Sequence, residues 1–380
     1  MRLQPDNSLP FSAGNAGTGT GSSNLDLLRS LAVLFVFFAH LTTYFGVQQV
    51  GPFNLILMGT LGVMLFFVHT SFVLMLSLER KWKSYFQRLS TLPLSNWIFF
   101  VDFMIRRCFR IYPLSIVVVL LIVIFRLPLT SFSPGHFYGY SPDAGDIISN
   151  VFLVQNLSFR TPLLSPLWSL PYELQMYLFL PWVFLFLIPV RSVARAIAAW
   201  AIGVGLAAVV LHFRPNPSLP LFFPCFLPGV LAYQLQRTAK PRLPGLIWPL
   251  VILVPGLAFL ASGPGMIWTQ KWILCLVIGL AVPFFRQITQ PHLCAAFHTI
   301  AKYSYGVYLT HFFCIWFAFE VLANAPTVFR IGTFVVISTG LPVLLYHLLE
   351  EPMLELGKKL ADRYVHEKVS PTRPPEFARS

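Results

Sequence analysis

Charged residues are scarce here: they occupy 11% of the 380 positions, against roughly a quarter in soluble globular domains. With 56% hydrophobic and 16% aromatic residues, that scarcity excludes a disordered chain, a fibrous one and an ordinary soluble domain. Acidic residues are scarcer than basic ones, 14 against 27. The basic residues are not gathered on one polar module, so the imbalance does not indicate nucleic-acid binding. The five cysteines, Cys108, Cys225, Cys275, Cys294 and Cys314, are odd in number, scattered and mostly within apolar stretches. They supply neither a disulfide framework nor a CxxC metal site. Also missing are a Walker phosphate loop, a GxSxG nucleophile elbow, an HExxH pair and any Cys/His set at metal-ligand spacing, so no metal is expected.

What the sequence does have is a series of apolar runs near twenty residues, recurring from Leu27 to Leu348. A hydrocarbon core of about 30 Å needs a helix of about 20 apolar residues, and ten segments qualify: 27–46, 55–78, 111–127, 173–190, 194–212, 219–236, 246–262, 271–286, 303–323 and 330–349. The expected fold is therefore all-α, a polytopic membrane protein of about ten transmembrane helices with both termini cytoplasmic. Charge placement agrees with that orientation. It puts 22 basic residues in inner segments and 5 in outer ones, as the positive-inside bias requires.

Residues 1–24 are polar, with Arg2 as the only basic residue and no apolar core. They do not fit a secretory signal peptide and read as a disordered tail. Residues 25–353 form the membrane-embedded domain, and 354–380, with Pro371, Pro374 and Pro375, read as a cytoplasmic C-terminal tail. Two connections are longer than a turn. The inner one, 79–110, is basic and aromatic, with Trp82, Tyr85, Phe86 and Trp97. It suits an interfacial amphipathic segment as well as a plain positive-inside loop. The outer one, 128–172, carries His136, Asp143 and Asp146 and is either a partial cover over an outer-face site or a surface loop.

Ionisable groups within spanning segments are costly, and each is a functional candidate by default. Arg29 and His40 on the first helix are eleven residues apart, about three turns, so they share one face at an axial separation of roughly 16 Å. Arg29 thus sits at the inner boundary and His40 well within the bilayer. The plain alternatives are a snorkelling anchor for Arg29 and an interhelical hydrogen bond for His40. The chemical alternative is more specific. A forked guanidinium suits phosphate, and a neutral imidazole can serve as a general base toward a hydroxyl. Together they suggest a phosphate-bearing cytosolic ligand whose reactive end is carried into the membrane.

Asp26, Arg29, Ala32 and His40 resemble the opening signature of the acyltransferase 3 family, membrane enzymes that O-acylate sugars and related hydroxyl compounds. Further segments follow in the family's order. Gly62-Val63-Met64-Leu65-Phe66-Phe67 is similar to its second helix, and Arg106-Arg107-Cys108-Phe109-Arg110-Ile111-Tyr112-Pro113 to the basic start of its third. Leu167-Trp168-Ser169-Leu170 with Glu173, Tyr177 and Leu178 resembles its Trp-Ser-Leu, Glu, Tyr-Leu pattern. Ser304-Tyr305-Gly306-Val307-Tyr308-Leu309-Thr310-His311 resembles its late Ser-Tyr, Tyr-Leu, His segment, and Glu350-Glu351-Pro352 the end of its last helix. Three positions depart from the pattern: His69-Thr70-Ser71 replace a small, glycine-containing stretch, Leu174 stands where many members carry a second carboxylate, and Glu351 stands where a basic residue is usual.

The resemblance implies an acyl-coenzyme A donor, most often acetyl-coenzyme A, no permanently bound cofactor, and a lipid-linked or surface carbohydrate acceptor. It also implies a multi-pass protein of a bacterial inner membrane. In those roles, His40 and Glu173 are the candidate catalytic residues and Arg29, Arg110 and His311 the candidate donor-binding ones, His311 alternatively supporting His40. Arg110 is preferred to Arg106 and Arg107 because it adjoins the helix and its Tyr-Pro. Trp168, Tyr177, Tyr305 and His69 are acceptor-side or supporting candidates. The rival expectations are a transporter of a sugar or lipid intermediate and a non-catalytic partner in an envelope polysaccharide assembly.

Overall fold

A computed structural model describes residues 22–89, 95–187, 192–213, 216–262 and 267–369. The tails expected at residues 1–21 and 370–380 lie outside them. Twelve helices carry the described chain: α1 (Ser23–Tyr44), α2 (Leu57–Leu89), α3 (Ser95–Phe125), α4 (Ala144–Val151), α5 (Leu170–Leu187), α6 (Val193–Phe213), α7 (Leu219–Gln236), α8 (Trp248–Leu260), α9 (Ile267–Ala281), α10 (Pro291–Trp316), α11 (Thr327–Leu345) and α12 (Glu351–Val369). Wide π turns, Phe317–Val321 and Tyr346–Glu350, follow α10 and α11. Two short antiparallel hairpins, β1–β2 (Gln49–Val50, Phe53–Asn54) and β3–β4 (Ser131–Ser133, His136–Tyr138), lie between helices.

The protein is an all-α polytopic membrane protein. Seven helices are long and apolar enough to cross a bilayer: those of α1, α2, α3, α5, α6 and α7, and a continuous helix from Thr327 to Lys368 that joins α11 to α12. The shorter apolar helices α8 and α9, together with the more polar α10, overlie the three other expected segments.

At one helix-breaking residue a neighbouring side chain satisfies the backbone that it strands. Pro228 in α7 has no N–H for the Pro224 carbonyl four residues earlier, and Trp200 of α6 donates to that carbonyl at 3.1 Å. The helices also approach closely where side chains are small, as membrane packing favours. α2 packs on α7 at Gly229, where a side-chain carbon would meet Ser71 Oγ and the Val68 carbonyl. Ser71 uses that closeness to donate to the Phe226 carbonyl at 2.5 Å. α1 packs on both α2 and α10, α7 on α6 and α9, and α3 on α12.

Three sequence expectations are revised. The polar tail was expected to run to residue 24, but α1 already begins at Ser23, with Ser22 Oγ accepting from the Leu25 N–H at 3.4 Å. The buried Asn24 amide donates to the Arg286 carbonyl (3.0 Å) and accepts from the Ile288 N–H (3.1 Å), pinning α1 to the chain just before α10. In the segment 79–110 the described residues are helical, where a loop was one of the two readings: α2 runs to Leu89 and α3 starts at Ser95, and residues 90–94 lie outside the described ones. Asp102, 1% exposed, makes this extension possible. It pairs with Lys81 of α2 at 3.1 Å and with Arg106 one turn on at 3.0 Å, and Arg106 reaches Asp362 of α12 at 2.5 Å. The stretch 354–369, expected as tail, is that helix α12. Its Gly357 and buried Ala361 face inward, Gly357 against Phe109 of α3.

The outer connection folds over the membrane end of α1. The Gly135 N–H donates to the Tyr44 carbonyl at 2.7 Å, and Phe137 stacks on Tyr44 with 5.4 Å between ring centres. Glu320, in the π turn after α10, accepts from the Phe137 N–H at 2.9 Å and lies 2.8 Å from His136 Nδ1. Behind the hairpin, Asp143 caps α4 reciprocally with Asp146. The Asp146 N–H, and then the Arg160 guanidinium, hold the Asp143 carboxyl below its usual range.

Gly229→Ala is expected to lower thermal stability in detergent or nanodiscs by about 1–3 kcal/mol through overpacking. Gly205→Ala on α6, where a side-chain carbon would meet nothing within 4 Å, is expected to leave the melting temperature unchanged.

Candidate functional site

Arg29 and His40 both face α10. Arg29 Nε donates to Ser304 Oγ at 2.6 Å, and His40 Nδ1 lies 2.8 Å from His311 Nε2. The two helices run parallel, since Asp26 meets His298 at 3.2 Å one turn earlier and the partners ascend in step. The shared face inferred from the eleven-residue spacing is therefore the face packed on α10. The two residues, however, open onto different surroundings.

Arg29 lines an internal cavity of about 120 Å³ with Arg107 and Arg110 of α3, His69 and Thr70 of α2, Glu173 and Tyr177 of α5, and Ser304, Tyr305 and Tyr308 of α10. Arg107 and Arg110 are three residues apart, so they point the same way, while Arg106 is turned toward Asp102 and Asp362. Glu173 Oε1 accepts from Tyr177 Oη at 2.5 Å and from Thr70 Oγ1 at 3.3 Å. Arg107 donates to Ser77 Oγ at 3.3 Å, yet its buried Nε has no partner. Buried His69 Nε2 has none either. Three guanidiniums and one carboxylate line this space, with Glu350 of an adjoining space near Arg29 and Arg110, so that positive charge and unused donors predominate. Guanidiniums shielded from water in this way bind a phosphate-type anion more strongly than exposed ones do. A second space of about 30 Å³ shares Arg29, His69 and Arg110 with the first and adds Asp26, His298, Lys302, Tyr346 and Glu350. It adjoins the arginine cavity on the side of Asp26 and Glu350.

His40 and His311 lie beyond the other end. Their rings stack with centres 5.0 Å apart, flanked edge-on by Phe312 and by Phe132 of the outer hairpin, at 4.9 and 5.7 Å from His40. Tyr308 stands between the two regions. Its ring lines the arginine cavity and lies 6.2 Å from the His311 ring. Its hydroxyl is held by Ser169 Oγ at 2.7 Å and donates to the Pro166 carbonyl at 2.8 Å. His40 Nε2 is turned toward Gly59 of α2, where a side-chain carbon would lie in van der Waals contact with it at 3.9 Å.

Of the residues proposed from sequence, Arg29, Arg110, Glu173, Tyr177, Tyr305 and His69 converge on the cavity, whereas His40 and His311 form a separate pair. Three placements bear on the expected roles, His311 standing where its alternative one, support of His40, would put it. Glu173, expected to orient an acceptor hydroxyl or a histidine ring, lies among the arginines, because its helix enters beside α2 and α3 rather than beside the outer half of α1. His311 is placed against His40 and away from the arginines. Trp168 packs on Tyr172 and Phe222, with ring centres 6.3 and 5.9 Å away, and it is its neighbour Ser169 that lines the cavity. Sequence reasoning passed over Arg107, although the three-residue spacing to Arg110 would have found it. It also passed over Ser304 and Glu350, for which the quoted motifs were the available signal.

A family model described as an acyltransferase domain matches residues 22–347. No curated protein and no solved structure matches the chain. The matched region runs from the cap of α1 to the π turn before α12 and so takes in the arginine cavity, the histidine pair and every helix that builds them. The chain belongs to the acyltransferase 3 family and is an integral-membrane acyltransferase.

Proposed function

We propose that this protein transfers an acyl group, acetyl foremost, from cytosolic acyl-coenzyme A to a hydroxyl of a lipid-linked or surface carbohydrate, in a bacterial inner membrane. The observation that carries this reading is the division of labour along one face of α1. Arg29 lies in an arginine-rich cavity that adjoins a second space beside Asp26 and Glu350, and His40 lies three turns further along the helix, packed against Phe132 of the β3–β4 hairpin.

In this reading Arg29, Arg107 and Arg110 hold the donor's phosphates, and Glu173 with Tyr177 keeps the arginines from repelling one another. The extended arm of the donor runs along α1 past Tyr308. That brings the thioester carbonyl to His40, roughly 16 Å from Arg29 along the helix. The acceptor hydroxyl approaches from the outer side, His40 takes its proton as the oxygen attacks the carbonyl, and the thiol leaves with that proton. Binding donor and acceptor on opposite sides of one histidine supplies the orientation that makes a two-substrate step fast. No covalent enzyme intermediate is needed.

The assay is formation of labelled product from radiolabelled acetyl-coenzyme A and candidate glycolipids by the purified protein in nanodiscs. His40→Ala is expected to abolish product while the protein stays folded in the membrane, and full activity in that variant would sink the proposal. Arg29→Ala and Arg110→Ala are each expected to raise KM for the donor on the order of tenfold or more, as losing a charged hydrogen bond of about 1.5–3 kcal/mol implies. A transporter of a sugar or lipid intermediate would bind its ligand in the same preparation and yield no acylated product.

A further inference from the structure

We infer that His311 is a positioning residue that fixes the tautomer of His40, so that Nε2 of His40, and not Nδ1, is the nitrogen that takes the acceptor's proton. The inference rests on the proposed acyl transfer for its chemistry, but its geometry stands alone.

Proton positions follow from what each atom can accept or donate. His311 Nδ1 lies 2.8 Å from the Tyr308 carbonyl oxygen and 3.2 Å from that of Val307. Carbonyl oxygens only accept, so Nδ1 of His311 carries the hydrogen. A neutral imidazole has one N–H, so His311 Nε2 carries a lone pair. The alternative, a charged His311 donating from both nitrogens, would place a cation 1% exposed among the rings of Phe37, Tyr308 and Phe312. No carboxylate pairs with it among the described residues, and an isolated charge in such surroundings is strongly disfavoured.

The next link follows from the first. His40 Nδ1 is 2.8 Å from His311 Nε2, and two lone pairs cannot face each other at that distance. His40 Nδ1 therefore carries its ring's hydrogen and donates it. Nε2 of His40 is left as the unprotonated nitrogen, on the side of Gly59, at which a side-chain carbon would come within 3.9 Å of it. This is the general arrangement in which a base is oriented by a third group, built from a second histidine and a backbone carbonyl where a carboxylate is more usual.

In the transfer step the acceptor O–H bond breaks and Nε2–H forms on His40. The acceptor oxygen bonds the acyl carbon, the carbon–sulfur bond breaks, and the thiolate then takes the proton back from Nε2. While His40 is positively charged, its Nδ1–H points at the His311 lone pair, so the cation keeps a hydrogen-bond acceptor in a site otherwise walled by aromatic rings. His311 touches neither substrate: both its nitrogens are occupied and the residue is buried.

The test uses the full chain in nanodiscs, with two variants and two readouts. In His311→Gln the amide oxygen can accept from His40 Nδ1–H; in His311→Leu nothing can. His311→Leu is expected to lower kcat on the order of 100-fold, the range of general-base contributions, with KM for the donor unchanged. His311→Gln is expected to recover at least a tenth of the wild-type kcat. Independently of activity, ¹⁵N-histidine NMR, with the His40 signals identified by their loss in His40→Ala, is expected to show Nδ1 protonated and Nε2 unprotonated in the wild type and in His311→Gln. Nε2-protonated His40 in the wild type overturns the inference, as does wild-type kcat in folded His311→Leu. If His40→Ala keeps full activity, the proposed function fails, while the NMR arm still decides the tautomer. If His311→Leu does not fold, the wild-type spectrum and His311→Gln decide it.

Discussion

The parallel packing of α1 against α10 is the contact on which the rest of the architecture depends. Four polar groups of α1 meet a partner on α10: Asp26 meets His298, Ser30 the Phe297 carbonyl, Arg29 Ser304 and His40 His311. In hydrocarbon an unpaired polar group costs several kcal/mol, so these pairs fix the rotation and register of the two helices as no apolar stripe could. The remaining helices fill in around that seam. α2 covers α1 from the other side, α7 backs α2, and α3 and α5 bring arginines and a carboxylate to the level of Arg29.

Much of this was legible in the sequence, for stated physical reasons. Apolar length located the spanning helices, and the eleven-residue step from Arg29 to His40 placed both on one face, because helical periodicity is intrinsic to the segment. Quantities that depend on another element were not legible. Nothing in the pattern around Glu173 says whether it meets an arginine or a histidine, since that follows from where α5 enters the bundle. Trp168 was an acceptor-side or supporting candidate from its motif, and the short 3₁₀ turn before α5 brings its neighbour Ser169 to the cavity while Trp168 packs on Tyr172 and Phe222. The inner extensions of α2 and α3 were hidden by charge. Lys81, Arg106 and Asp102 resemble a solvated loop until their ion pairs are seen, because burial of Asp102 depends on α2 being present beside α3.

The two π turns mark where the bundle departs from regular helix, and each carries a carboxylate to a strategic place. One puts Glu320 under the outer hairpin and the other puts Glu350 in the inner space beside Arg29 and Arg110. A one-residue insertion in the hydrogen-bond ladder rotates everything after it, which is why such turns recur at functional sites. A regular helix through either segment would aim those side chains elsewhere.

Tyr308 contributes to both halves of the site with different atoms. Its ring closes the arginine cavity, and its backbone carbonyl holds His311. Anything that pushes the ring aside to pass therefore works against the same residue that keeps the histidine pair aligned. In the proposed reaction, a passage that shifted the Tyr308 backbone together with its ring would couple occupancy of the cavity to alignment of His40, and such coupling is reciprocal: a state of the histidine pair that favoured one position of Tyr308 would change the affinity of the cavity by the same factor.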